Sequence, residues 1–504
     1  MNLSNRLLKG SVMSTISLVI QVAVSFLITP VLVRSLGERS YGMWILVMAL
    51  IGYYTVFDFG ISSSVGRFVS RGAGRKDDGE INRIVNTSLG LYVVVGAACL
   101  LLTCLLAFGA GWFVKDPREI ESVRGCILII GSLVSFGFPI RVFQGVLKGL
   151  LRYDLSVAAG LAKLAFVNLA IWFMLRDRGI LFLAGITAIG GMIESALLVI
   201  FAFRAAPALR LSPGGYHKAG VREILGYSWR SFVVTLMQQI RFKIDSLVVA
   251  GLLAVNLVTH YSIGARFMEY FVEIVGNVAG GQLMSVFSQY EGRGDHELIR
   301  ERFVGATRFS AILSVFVGAS LAFYGQAFIE RWMGPHFRDS YQVLLILVGP
   351  FTLALSQSPS IGLLYGISKH HYIAWTTCGS ALVNLVLSLV LAKVWGMYGV
   401  AMGTAVELFL SHLLIYPLLV CRAIDLPLAR YYIRGLGVPI FASLAVLAAW
   451  FLAVSRFLQP EYLRIGLLGI AQVIIFTPVV FFLVLKDDER RLLLQALRRA
   501  PPAS

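Results

Sequence analysis

The chain has 504 residues, of which 58% are hydrophobic and only 14% charged, where a soluble domain carries about 25% charged residues. No polar stretch runs much beyond about 25 residues, which excludes a soluble enzyme, a disordered chain and a membrane anchor with a large cargo domain. Lys and Arg number 44 against 27 for Asp and Glu, a net charge of +17. In a soluble protein that excess would suggest nucleic acid. In a membrane chain it sets orientation and draws anionic lipid head groups, so the expected partners include membrane lipids and no nucleic acid.

Arg6 and Lys9 precede an apolar run without an A-x-A cleavage site, so the start reads as a retained first span. Apolar runs of about 20 residues, the length that crosses the hydrocarbon core, recur fourteen times. They lie near 11–33, 41–61, 84–113, 126–147, 157–175, 180–203, 226–254, 257–286, 305–328, 341–366, 372–394, 398–421, 435–455 and 463–485. The runs are continuous, not alternating, which excludes a β-barrel and predicts an all-α polytopic membrane protein. Cys99, Cys104, Cys126, Cys378 and Cys421 lie in or beside these runs with no C-x-x-C spacing, and read as small hydrophobes.

Basic residues orient the bundle. Arg6, Lys9, the loops 62–83, 141–156, 204–225, 287–308, 367–371 and 422–434, and the tail after Leu485 hold 27 of the 44 Lys and Arg; the opposite loops hold 12. The richer side is expected to be cytoplasmic, with both termini on it.

A shift of about 217 residues aligns the two halves. Gly145, Leu147 and Gly149 fall on Gly362, Leu364 and Gly366; Val167-Asn168-Leu169 falls on Val383-Asn384-Leu385; Gly179, Ala184, Thr187 and Ala188 fall on Gly396, Ala401, Thr404 and Ala405. Six spans separate the copies, so both have one orientation. The pattern predicts a first lobe over 1–215, a parallel second lobe over 216–425, a C-terminal helix pair over 426–486 and a cytoplasmic tail over 487–504. Two repeats with a site between them at mid-membrane are a transporter design.

An ionised side chain at the centre of a span costs about 2.5–3.5 kcal/mol and therefore faces a partner or a wet cavity. Spans 7 and 8 concentrate such residues. Arg241 has Asp245 one turn on, Lys243 points roughly 200° away, and Arg266, Glu269, Glu273 and Asn277 form a polar stripe. These are either helix-locking ion pairs or the lining of an anion-binding cavity. In the first half Asp58 sits late in span 2 and could meet Arg67. Arg141 and Lys163 either snorkel to head groups or line the cavity, and Glu194 and Glu407 are single mid-span carboxylates that could carry a proton or ion. Tyr53, Tyr54, Trp229 and Tyr270 could stack on sugars. No P-loop and no catalytic or metal-ligating constellation is present, so neither catalytic residues, metal nor cofactor is expected.

The pattern Pro30, Ser35-Leu36-Gly37, Tyr41-Gly42 and Asp58-Phe59-Gly60-Ile61, with Ile244-Asp245 and Tyr261-Ser262-Ile263-Gly264 in the second half, resembles the polysaccharide-type lipid flippases. These are a branch of the multidrug/oligosaccharidyl-lipid/polysaccharide exporter superfamily. The resemblance implies two six-span lobes around a cationic cavity, two further C-terminal spans with a groove for a polyprenyl tail, and residence in the bacterial inner membrane. It also implies transport of undecaprenyl-diphosphate-linked sugar to the outer leaflet; proton or sodium coupling is left open, and glycan polymerase machinery is a candidate partner. Arg241, Lys243, Arg266, Arg141 and Lys163 would hold the diphosphate. A drug/cation antiporter of the same superfamily is the alternative, and a membrane glycosyltransferase or polymerase a more distant one, since no loop is long enough for a catalytic domain.

The basic split predicts that a thiol engineered at Arg75 stays unlabelled by an impermeant maleimide added outside intact cells and reacts after permeabilisation. Labelling before permeabilisation would invert the topology.

Overall fold

The computed structural model describes residues 3–175, 178–212, 221, 244–276, 283–369, 371–483 and 490. Among them every regular element is a helix, and eleven helical stretches are long and apolar enough to cross a membrane. The protein is a multi-pass membrane protein. Its chain divides into two compact units, Met1–Thr259 and His260–Ser504.

The first unit contains α1 (Leu3–Leu36), α2 (Glu38–Gly52), α3 (Ile61–Arg75), α4 (Asp78–Phe108), α5 (Pro117–Gly137), α6 (Arg141–Gly149), α7 (Tyr153–Met174) and α8 (Gly179–Ala205). Their ends are written in the sequence. The Asp77 carboxylate caps α4 by accepting the Glu80 N–H at 2.9 Å, and Asp116 caps α5 by accepting the Arg118 N–H at 3.0 Å, with Pro117 in the first turn. Losing such a cap costs about 1 kcal/mol. After α2 the chain tightens into a 3-10 turn, Tyr53–Asp58, and leaves it through Phe59 and Gly60, both at positive φ.

From α9 (Val255–Val275) the second part follows with α10 (Leu283–Gly292), α11 (His296–Trp332), α12 (Arg338–Ser356), α13 (Pro359–Gly366), α14 (His371–Leu410), α15 (Tyr416–Ala423), α16 (Val438–Val454) and α17 (Tyr462–Leu483). A straight α14 would be about 60 Å long, twice the hydrocarbon thickness. It is instead a hairpin that folds back at Trp395 and Gly396, the glycine taking φ 57° and ψ −136°. The Asn384 amide donates to Thr404 Oγ1 at 2.8 Å and the Ser388 hydroxyl to the Val400 carbonyl at 3.5 Å, so the two arms run antiparallel.

Two expected spans are broken at a proline. The run 126–147 becomes α5 and α6, and 341–366 becomes α12 and α13, with Pro139 and Pro359, which cannot donate the helical N–H, at the breaks, although Phe138 and Ser358 before them keep helical dihedrals. The expected basic loops 62–83 and 141–156 likewise contain α3 and α6, which pack on each other.

Several local structures recur at the sequence offset. After α6 the chain turns through Leu151 at φ 56°, and after α13 through Ser368 at φ 59°. The Arg152 N–H returns to the Leu147 carbonyl at 2.8 Å, and the Lys369 N–H to Leu364 at 2.8 Å. Each short helix rests on a neighbour through a glycine. A Cβ on Gly149 would lie 2.7 Å from the Gly66 carbonyl oxygen, and one on Gly366 would lie 2.9 Å from that of Met284. The N-cap of α4 also has its counterpart, since Asp295 accepts the Leu298 N–H at 3.1 Å at the start of α11.

The C-terminal helices are fastened to α11 along its length. Trp450 Nε1 donates to the Tyr324 hydroxyl at 3.0 Å, Gln472 to Ser320 Oγ at 2.7 Å, and Phe451 stacks on Phe323 at 4.2 Å. Ile312, Val315, Leu447, Phe476 and Val480 form the apolar core between them.

The segment leaving α8 is strapped onto the start of α4. Asn82 donates to the Ala208 carbonyl at 3.0 Å and accepts the Arg210 N–H at 2.7 Å; Asn86 donates to the Arg210 carbonyl at 2.9 Å and accepts the Ser212 N–H at 2.8 Å. Four helical residues rise about 6.0 Å and two extended residues about 6.6 Å, so asparagines one turn apart match alternate peptides of an extended chain. The segment leaving α15 is held at the matching place, by Arg300 on the Ile424 carbonyl and Lys369 on the Ala423 carbonyl, both at 2.7 Å.

Because the strap reads only backbone, Arg210→Ala should leave the segment as protected from trypsin and chymotrypsin as in the wild type. Arg210→Pro, which deletes the N–H given to Asn82, should speed cleavage near residue 210 about tenfold, as should Asn82→Ala, since each loses about 1–1.5 kcal/mol. Equal protection in all three variants would show that the contacts do not hold the segment.

Candidate anion site in the first unit

Two of the cation–carboxylate pairs of the first unit involve the charged residues singled out within or beside the expected spans. The first forms where two helices are interrupted. Asp58 closes the 3-10 turn after α2, and Arg141 opens α6 just beyond Pro139. Arg141 Nη1 lies 3.5 Å from Asp58 Oδ1, and the guanidinium lies over the Phe138 ring, 4.4 Å from its centroid. The same carboxylate oxygen accepts a 2.5 Å hydrogen bond from the Tyr92 hydroxyl of α4, and the Tyr92 and Phe138 rings are 6.0 Å apart. Both charged side chains keep some exposure, 27% for Arg141 and 20% for Asp58. The second pair joins the middles of α7 and α8, where Lys163 Nζ donates to Glu194 Oε2 at 2.9 Å with both side chains partly exposed.

These contacts correct three sequence expectations. The ion-pair partner of Asp58 is Arg141, because the break at Phe59–Gly60 and the break at Pro139 bring the two helix ends together. Glu194 is not a single carboxylate, since α7 and α8 pack antiparallel and place Lys163 beside it. Tyr54 is buried and bonded through its hydroxyl to Thr103 Oγ1 at 2.8 Å, so it is not offered to a sugar.

Asp245, near the end of the first unit, is buried within the helical residues 244–252; in the second part Glu407 is buried in the second arm of α14, Arg266 is half-buried on α9, and Glu269 and Glu273 on the same helix are exposed. Arg241, Lys243 and Asn277, with Trp229, lie outside the described residues. Sequence reasoning missed Tyr92, which looks like one more aromatic in an apolar run. It also missed Arg308, assigned to a loop but buried on α11, where its Nη1 reaches the Arg434 carbonyl at 3.4 Å. Gln357 and Tyr431 escaped it as well. The Gln357 amide donates to the His412 carbonyl at 2.6 Å and accepts from the Tyr431 hydroxyl at 3.1 Å, tying together two π-helical segments, Ser411–Ile415 and Tyr431–Gly437.

The repeat supplies an internal control for the charged pairs. At the 217–218 offset Arg141 falls on Ser358, Tyr92 on Ser310 and Asp58 on Val275, and the two serine hydroxyls meet at 2.8 Å. Lys163 and Glu194 fall on Ser380 and Ser411. A neutral hydroxyl pair therefore stands at the Tyr92 and Arg141 positions, and uncharged residues at the other three, so the repeated fold carries no ion pair at these places in the second unit.

The helices and their breaks have counterparts in solved structures of membrane transporters. The fold matches the lipid II flippase MurJ in an inward closed conformation, with TM-score 0.72 and 15% identity over 94% of this chain and 99% of that one. It also matches an inward-facing multidrug resistance MATE family transporter, with TM-score 0.70 and 14% identity over 79% of this chain and 93% of that one. Residues 7–290 match the family described as polysaccharide biosynthesis protein, and the chain belongs to that family. It is 23% identical over 499 residues to the uncharacterized membrane protein EpsK of Bacillus subtilis, with 96% of each chain covered.

If the serines of the second unit are a fair control, Lys163→Ser/Glu194→Ser should insert, remain monodisperse in detergent and melt within about 2–4 °C of wild type, a change of roughly 1 kcal/mol for a partly exposed pair. Loss of expression or aggregation of the double variant would make the pair structural.

Proposed function

We propose that the protein is a flippase that moves a polyprenyl-diphosphate-linked oligosaccharide from the cytoplasmic to the outer leaflet of the bacterial inner membrane during cell-surface polysaccharide synthesis. The observation that carries this reading is the pair of partly exposed cations, Arg141 and Lys163, at positions where the repeated fold makes do with serines. A diphosphate cannot cross hydrocarbon bare, and an arginine gives it a permanently charged, bidentate partner. In this reading fourteen spans form two parallel six-helix lobes plus a C-terminal pair, both termini are cytoplasmic, and the lobes rock to expose the site alternately. Arg241, Lys243 and Arg266 add positive charge from spans 7 and 8, and glycan polymerase machinery takes up the product.

The polyprenyl tail is accommodated by an apolar cavity of about 670 Å³ in the second unit, between α11, α12, α14 and α16, with Phe323, Phe409, Leu447 and Phe451 in its wall. The expected groove between spans 13 and 14 is thereby moved: α16 lines the cavity, while α17 packs behind it and braces α11. The organic-cation antiporter reading has the carboxylates of Asp58 and Glu194 in its favour. Both already face a cation, however, so that reading would turn to the carboxylates of Glu269 and Glu273, which are exposed on α9. The larger coverage of the flippase fold, which extends to the C-terminal helices, also supports the first reading.

The test is radiolabelled lipid-linked sugar in proteoliposomes, scored by its accessibility to an impermeant glycan-cleaving reagent, with ethidium efflux measured in parallel. Sugar-lipid translocation that Arg141→Gln reduces at least about tenfold, with no ethidium efflux, is the expected result. Ethidium efflux without sugar-lipid movement would establish the antiporter.

A further inference from the structure

Arg141 is held loosely, and by a residue with a better partner of its own. A good guanidinium–carboxylate hydrogen bond is about 2.7–2.9 Å long, whereas Arg141 Nη1 stands 3.5 Å from Asp58 Oδ1 and the Tyr92 hydroxyl stands 2.5 Å from that same oxygen. Asp58 is therefore anchored to α4 by Tyr92 and only leans on Arg141. The guanidinium is in turn supported on its flat face by Phe138 at 4.4 Å. Such a contact fixes the plane of the fork while leaving the N–H edge for an anion. Neither side chain is fully buried, so the edge is reachable.

We propose that Asp58 is the resident counter-ion of Arg141, and that a phosphate group of the substrate takes Arg141 by displacing it, while Tyr92 retains the released carboxylate. This rests on the flippase reading, and it gives Asp58 and Tyr92 roles that reading lacks. An empty transporter that left Arg141 bare among apolar helices would carry the cost of an uncompensated charge. A resident carboxylate offsets that cost in the empty state, and exchange of one anion for another keeps the cation neutralised throughout. The incoming group has the advantage of geometry, because a phosphate offers two oxygens to the fork where Asp58 offers one at long range. Asp58 then acts as a threshold: weak anions do not displace it, and only a ligand with a di-anionic, bidentate head does. Neither a carboxylate nor a cation occurs at the equivalent places in the second unit, Val275 and Ser358, so the device is confined to the first.

The two pair members predict opposite signs. Full-length protein in nanodiscs is titrated with inorganic pyrophosphate by calorimetry, with melting temperature confirming the fold of each variant. Asp58→Asn, which removes the competitor while keeping the Tyr92 contact, should tighten pyrophosphate binding about tenfold. Tyr92→Phe, which frees Asp58 to hold Arg141 more closely, should weaken it about threefold. Arg141→Gln should abolish binding, and adding Asp58→Asn to it should restore nothing. Unchanged or weaker binding by Asp58→Asn overturns the exchange, and so does tighter or unchanged binding by Tyr92→Phe, which decides the matter if the first variant does not fold. Binding that survives Arg141→Gln would remove Arg141 from the site, which overturns the exchange and leaves the flippase reading resting on Lys163. Loss with Arg141→Gln but no gain with Asp58→Asn leaves the site standing and sinks the exchange alone. Absence of pyrophosphate binding in wild type and Asp58→Asn alike also overturns the proposal.

Discussion

Hydrocarbon offers no hydrogen bonds, so every N–H and C=O of a spanning segment has to be paired within the protein. A continuous helix meets that demand by itself; an interruption does not. In the first unit the interruptions at Phe59–Gly60 and at Pro139 come side by side, and the polar side chains collect there: Asp58, Arg141 and the Tyr92 hydroxyl close a small circuit with Phe138 beneath it. In the second unit the break at Gln357–Ser358 is served by uncharged groups, Gln357, Tyr431, Ser310 and Ser358, while the π-helical segment Tyr431–Gly437 also receives the Arg308 guanidinium on its Arg434 carbonyl. At the matching break, Arg141 against Ser358, the constraint thus has an ionic answer in one half and a neutral answer in the other. The flippase reading follows from that difference.

Elements governed by local chemistry were legible in the sequence. Apolar runs and the glycine repeats at Gly145, Gly149, Gly362 and Gly366 gave the helices and their recurrence, because hydropathy and close approach depend on a residue and its near neighbours; the caps Asp77 and Asp116 came only with the structure. The breaks inside spans 4 and 10 were also there to be read, since Pro139 and Pro359 cannot propagate a helix, but hydropathy alone runs straight through a proline. The pairing of Asp58 was not legible. Arg67 is nine residues away and Arg141 eighty-three, and only the packing of α3 on α6 selects the distant one. Tyr92 and Gln357 had no signal, since neither composition nor periodicity distinguishes a hydroxyl that finds a carboxylate from one that faces lipid.

Expectations for spans 7 and 8 rested on charges at helical spacing, which report a shared face and nothing of what that face meets. Glu269 and Glu273 share a face with Arg266, yet both are exposed while Arg266 is half-buried. Spacing alone could not separate a salt-bridged seam from a wet wall. The paired serines were needed for that in the first unit, because they show what the same backbone accepts when no charge is wanted.

The asparagine strap grips peptide groups and ignores the side chains of residues 208–212. A contact of that kind places no selection on the amino acids it holds, apart from proline where an N–H is given. The connecting segment is consequently free to drift, to change charge, or to acquire a signal read by another protein, while its path across the surface stays the same. The heritable information for that path lies more than a hundred residues upstream, in two amides on one turn of helix. Comparing only the connectors of distant relatives would therefore find no trace of it.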